Sequence, residues 1–218
     1  MVELHLGTSE HPLRRVLCLG SHCDDIEIGC GGALLRMLGE NSGIEVYWKV
    51  FSSTPVRKKE AARAANQFLA RAKKAKIAIH NFRDAFFPSA HAQIKGEFEK
   101  LKDEFAPDLI LTHYRHDLHQ DHRIINELTW NTFRGHLILE YEIPKYDGDL
   151  GTPNMFVPLD ESLCHEKVDL ILGNFPSQCG KHWFSAELFR SLLRLRGMEC
   201  NSPSHYAEAF YSRKLLLG

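Results

Sequence analysis

This 218-residue chain has no charge of one sign in excess: 27 Lys and Arg stand against 28 Asp and Glu, a formal net charge of -1. Nucleic-acid binders carry a basic surplus, so no polyanionic partner is expected. Local basic clusters such as 71–76 (RAKKAK) read as solvated helix ends. No apolar run approaches the ~20 residues of a membrane helix. The six cysteines, at 18, 23, 30, 164, 179 and 200, include no CxxC pair. A chain of this length buries enough core to do without disulfide staples, so thiols in a reducing compartment are expected. The start, MVELHLGTSEHPLRR, lacks the basic opening and apolar centre of a secretory signal. No internal repeat or low-complexity linker divides the chain. The expectation is one cytoplasmic domain, 1–218, with homo-oligomerisation left open.

What the sequence does have is alternation. After a polar leader of about twelve residues, short apolar runs at 16–19 (VLCL), 44–51, 76–80, 108–112 (DLILT) and 137–141 read as strands. Between them, helical patterns run through 33–38 and over 56–72, 93–105 and 122–133. The Pro- and Gly-rich stretch 144–158 reads as a long loop, followed by helices near 162–174 and 187–196 and a final strand in 207–216. Strand–helix alternation predicts an α/β fold: a Rossmann-like, doubly wound, mainly parallel sheet with helices on both faces, in three α/β/α layers. In such sheets ligands sit at the carboxyl ends of the strands.

Two clusters follow such ends. The first is Ser21-His22-Cys23-Asp24-Asp25-Ile26-Glu27, then Gly29-Cys30-Gly31-Gly32. A dinucleotide fold would place GxGxxG here, with backbone amides facing a pyrophosphate. Two aspartates at a helix start repel phosphate and suit a cation, so a nucleotide cofactor is not expected. The residues alone leave helix capping and metal binding equally open. The glycines permit close helix–sheet packing or a tight turn.

The second cluster, after DLILT, packs His113, His116, Asp117, His119, Asp121 and His122 into ten residues. Histidine with carboxylate suits zinc, and two His plus one carboxylate leave a coordination position for water. Nothing singles out His113 or His116, which read as ordinary loop histidines.

Together the clusters resemble the two signatures of the LmbE-like, or PIG-L, family of zinc-dependent N-deacetylases. The family's histidine–proline–aspartate–aspartate segment with its glycine pair appears as SHCDDIEIGCGG, residues 21–32, with Cys23 where proline is usual. Its histidine–x–aspartate–histidine appears as His119-Gln120-Asp121-His122. The resemblance runs from about 14 to 142. It implies a zinc ion held by His22, Asp25 and His122, with Asp24 as general base. It also implies His119 as the oxyanion donor, its ring held and charged by Asp121, and Arg57 as a substrate contact. Glu27 or a backbone carbonyl would orient the ligands from behind. The implied reaction removes the acetyl group from an amino-sugar nitrogen, giving acetate and a free amine.

Two other readings compete. A zinc-stabilised binding module without catalysis would need a fourth ligand, which only Cys23 offers. A receiver-like signalling domain also carries paired acids after its first strand. Its central strand should end in a phosphorylatable aspartate, whereas Thr112-His113 stands there.

Overall fold

The computed structural model describes residues 3–7 and 12–216; of the polar leader, residues 1–2 and 8–11 lie outside the described ones. The chain runs β1 (Arg15–Gly20), α1 (Asp25–Glu40), β2 (Glu45–Ser52), α2 (Pro55–Phe68), β3 (Lys74–Phe82), a 3-10 turn at Phe87–Ala90, α3 (His91–Glu104), β4 (Leu109–His113) and α4 (Gln120–Thr132). It continues through β5 (Leu137–Tyr141), β6 (Met155–Leu159), α5 (Glu161–Asn174), a short 3-10 turn, α6 (Ala186–Glu199) and β7 (Tyr206–Ser212).

Among the described residues the strands form one seven-stranded sheet, ordered β3-β2-β1-β4-β5-β7-β6. Strands β1 to β5 are parallel, and β7 runs antiparallel to both β5 and β6. This is the predicted α/β class. Strand β6 was not expected, because its residues fall in and just past the stretch read as loop. Pro158 obscures a strand pattern but is tolerated here, since β6 is an edge strand. Helix α2 also stops at Phe68, short of residue 72.

Side chains alternate between two cores with the period of a strand. Val16, Cys18, Val46, Trp48, Leu109 and Leu111 enter one core with residues of α1, α2 and α5. Leu17, Leu19, Tyr47, Phe51 and Ile110 enter the other with residues of α3 and α4. Helix α1 is buried along most of its length, and its glycines serve close approach rather than a turn. A Cβ on Gly29 would fall inside the Tyr141 ring, and one on Gly32 would lie 2.5 Å from Leu159 Cδ1. The bare Gly32 lets Glu208 of β7 reach the helix backbone, where it accepts from the amides of Gly32 (2.7 Å) and Ala33 (2.6 Å). Lys167 of α5 donates to Glu208 (2.6 Å) and to the Ile28 carbonyl (2.6 Å), and both side chains are buried.

Removing one partner of a buried pair leaves an uncompensated charge. Lys167→Met should therefore lower stability by about 3–5 kcal/mol, read as a fall in the denaturant midpoint at unchanged slope.

Candidate metal and catalytic site

After β1 the chain leaves to build β2 and β3, then returns to lay β4 on the other side of β1, pairing Val16 with Leu109 and Cys18 with Leu111. This is the crossover at which open α/β sheets hold ligands. It sets the 21–25 segment against the 113–122 segment. The Ser21 amide donates to His113 Nε2 at 2.9 Å across 92 residues.

Three of the sequence-predicted residues meet at one point. His22 Nδ1 lies 3.1 Å from His122 Nε2 and 3.4 Å from Asp25 Oδ2, and His122 Nε2 lies 3.6 Å from the same oxygen. Ligand atoms of a tetrahedral zinc, at bonds of about 2.0–2.1 Å, stand about 3.4 Å apart. The far side of each ring is already bound to carboxylate. His122 Nδ1 lies 2.9 Å from Asp117 Oδ2, while His22 Nε2 lies 3.0 Å from Asp84 and 3.4 Å from Asp121. With the protons on those outer nitrogens, the two inner nitrogens and the Asp25 oxygen can only accept, so the point calls for positive charge. The pKa directions express the same demand. Burial opposes charge on His22, yet Asp25, Asp121 and Asp84 hold its pKa well above the ordinary value. Burial and the nearby His113 push His122 down to about 3. Burial works against Asp25 too, but His122, His22 and His113 keep it well below the usual carboxylate range. The donor set therefore fits a divalent cation.

Asp24 occupies the N-cap position of α1 but makes no capping hydrogen bond. Its Oδ1 instead meets Arg57 at 2.7 Å, and its buried Oδ2 has no partner among the described residues. Burial raises its pKa, with Arg57 pulling the other way. Thr54 caps α2, accepting from the Arg57 amide, and so aims Arg57 from the first turn back over the site. An open cleft of about 380 Å³ runs from His22 and Asp24 past Arg57 and His119 to Lys145 and Trp183.

His119 stands beside both of these rings, its centroid 4.8 Å from His22 and 4.7 Å from His122. The Asp121 carboxylate does not hold it. That group accepts from the amides of Ala85 (2.7 Å) and Phe87 (3.1 Å) and faces His22. Asp121 reaches His119 only through its backbone, whose amide donates to Nδ1 at 3.3 Å. An accepting Nδ1 leaves the proton on Nε2. Burial and the charge of His22 lower the His119 pKa, which disfavours the imidazolium and leaves Nε2–H as the donor.

Two residues left unassigned by sequence have clear places. Asp117 is the partner behind His122 and also receives Lys145 Nζ at 2.8 Å. Its place in the second cluster was visible, but its direction was not. His113 is fully buried and stacks on His122 at 3.9 Å, forming the floor. Cys23 donates its thiol to the Ser52 carbonyl, and burial pushes its pKa up to about 12. It belongs to none of the metal-capable clusters among the described residues. Glu27 is buried, and neither of its oxygens has a hydrogen-bond partner among the described residues.

A family model described as GlcNAc-PI de-N-acetylase (PIG-L) matches residues 17–133. None of the curated proteins matches. Among solved structures, the chain is similar to N,N'-diacetylchitobiose deacetylase from Pyrococcus horikoshii, at 20% identity and TM-score 0.66 over 92% of this chain and 84% of that one. It is similar to a zinc-inhibited form of teicoplanin deacetylase at 16% identity and TM-score 0.69, over 91% and 97%. It is also similar to 4-carboxy-2-hydroxymuconate hydratase from Pseudomonas putida, at 15% and 0.69 over 94% and 98%. Identities this low establish the fold, and the same fold carries two kinds of reaction.

Among the described residues, Arg57 is the cation bonded to Asp24. In Arg57→Met the Asp24 carboxyl should ionise at a pH about 1–3 higher, followed by carbon-13 titration of the carboxyl. An unmoved titration would mean that Arg57 does not set the state of Asp24.

Proposed function

The chain belongs to the PIG-L family, and on that premise we propose that all of it forms one zinc-dependent hydrolase domain that removes the acetyl group from the nitrogen of an amino sugar. One observation carries the reading: two imidazoles and a carboxylate converge on one point, and a second carboxylate stands beside them with a free oxygen. His22, Asp25 and His122 would hold the zinc. Bound there, zinc would polarise the acetamide carbonyl and acidify water. Asp24 accepts the proton of the attacking water and returns it to the departing nitrogen. Arg57 keeps Asp24 ionised and lies along the cleft where the sugar would rest. His119 donates a hydrogen bond from its Nε2–H to the oxyanion as the tetrahedral centre forms.

The test is acetate release from N-acetylglucosamine and its conjugates, with zinc content measured alongside. The expected stoichiometry is about one zinc per chain. Asp24→Asn should keep the zinc and lose turnover, whereas His122→Ala should lose both. Double-bond hydration, the activity of the hydratase relative, would release no acetate. Full activity without any divalent metal would sink the reading.

The donor that meets the oxyanion only in the transition state acts on kcat. His119→Ala should therefore bind zinc normally, keep KM within a few-fold and lower kcat by about a hundredfold or more. Since His119 donates as a neutral ring, Asp121→Asn should not reproduce a selective loss of kcat; an identical kinetic profile for the two variants would restore Asp121 as its partner.

A further inference from the structure

Between β3 and the 3-10 turn, Asp84, Ala85 and Phe86 form a short loop that leads into Phe87, against His22. Ala85 has φ of 63°, the left-handed region that a residue with a Cβ enters rarely. Such conformations persist where surrounding structure imposes them, often at functional sites.

The surroundings here come from the start of α4. Asp121, fully buried, takes the amides of Ala85 and Phe87 on its two oxygens, at 2.7 and 3.1 Å. Gln120 Nε2 donates to the Ala85 carbonyl at 2.5 Å. The backbone is thus gripped at Ala85 and Phe87, immediately after Asp84. The result is specific: Asp84, although its side chain is 71% exposed, lies 3.0 Å from His22 Nε2. The buried Phe87 ring stacks on the same imidazole at 6.1 Å and 29°.

We propose that this loop is a clamp for His22, with Asp84 as its positioning residue. Asp84 holds the proton on Nε2 and fixes the ring plane, so that Nδ1 presents its lone pair to the metal. Asp121 forces Ala85 into the conformation that delivers Asp84. The motif aspartate is thereby tied to the first ligand, not to its neighbour His119. A carboxylate behind a ligating histidine fixes its tautomer and raises its basicity, and loss of such a partner weakens metal binding by about 10–100-fold.

The inference rests on His22 being a ligand, and the experiment separates the two. Zinc affinity of the full chain is measured by chelator competition for Asp84→Ala, Asp84→Asn, Ala85→Val and His22→Ala, with nitrogen-15 spectra of the imidazoles before metal is added. Asp84→Ala should bind zinc about 10–100-fold more weakly and lose the fixed Nε2–H form of His22. Asp84→Asn keeps an acceptor oxygen and should restore affinity to within a few-fold. Ala85→Val, whose branched side chain resists positive φ, should weaken zinc as Asp84→Ala does, whereas Ala85→Gly, which accepts that conformation, should bind zinc within a few-fold of the parent. If His22→Ala loses zinc but Asp84→Ala does not, the clamp is overturned and the ligand reading stands. If His22→Ala binds zinc normally, both fall.

Discussion

The pairing of β1 with β4 is the contact on which the rest of the site depends. Each strand ends by discharging a polar segment at the same edge, and the crossover leaves no strand between them. The Ser21 amide bonded to His113 ties the two loops at their roots. From there, three atoms from distant parts of the chain lie within 3.6 Å of one another. The sheet is fully packed on both faces at this point, so the loops inherit a rigid base.

Rigidity alone would not suffice, because histidine can turn either nitrogen inward. Orientation comes from carboxylates placed behind the rings: Asp117 behind His122, and Asp84 with Asp121 behind His22. The stack of His113 on His122 closes the floor, with its Nε2 accepting from Ser21 and lying 3.2 Å from Asp25. Charge is balanced at the rim as well. Arg57 answers Asp24, and Lys145 answers both Asp117 and Asp149. The site is therefore a set of neutralised pairs around one point that still demands a cation.

The same logic of bonded charge runs through the first half of α1. Glu208 and Lys167 bond to the backbone of the helix that begins with Asp25, and the glycines that open this approach also admit Tyr141. Tyr141 in turn donates to the Leu19 carbonyl at 2.6 Å, three residues before His22. The helix that carries Asp25 is thus fixed along its length by contacts that need glycine at particular positions. Fold and site share these residues.

By itself the sequence determined the layered α/β class, because apolar runs and helical patterns alternate with periods that local chemistry dictates. It also determined the two acidic–histidine clusters and the identities of His22, Asp24, Asp25, His119 and His122 as their chemically distinctive members. Those were legible because residue type and order are local facts. Only the tertiary structure decided which atoms meet. It sent the Asp121 carboxylate to Ala85, Phe87 and His22 rather than to the His119 ring. It put Asp117, not Glu27, behind the His122 ring, and it made Met155–Leu159 an edge strand by supplying β7 as a partner. These outcomes depend on side-chain direction and on neighbours far along the chain. A carboxylate's sequence neighbour need not be the group it faces once a helix start turns it through space.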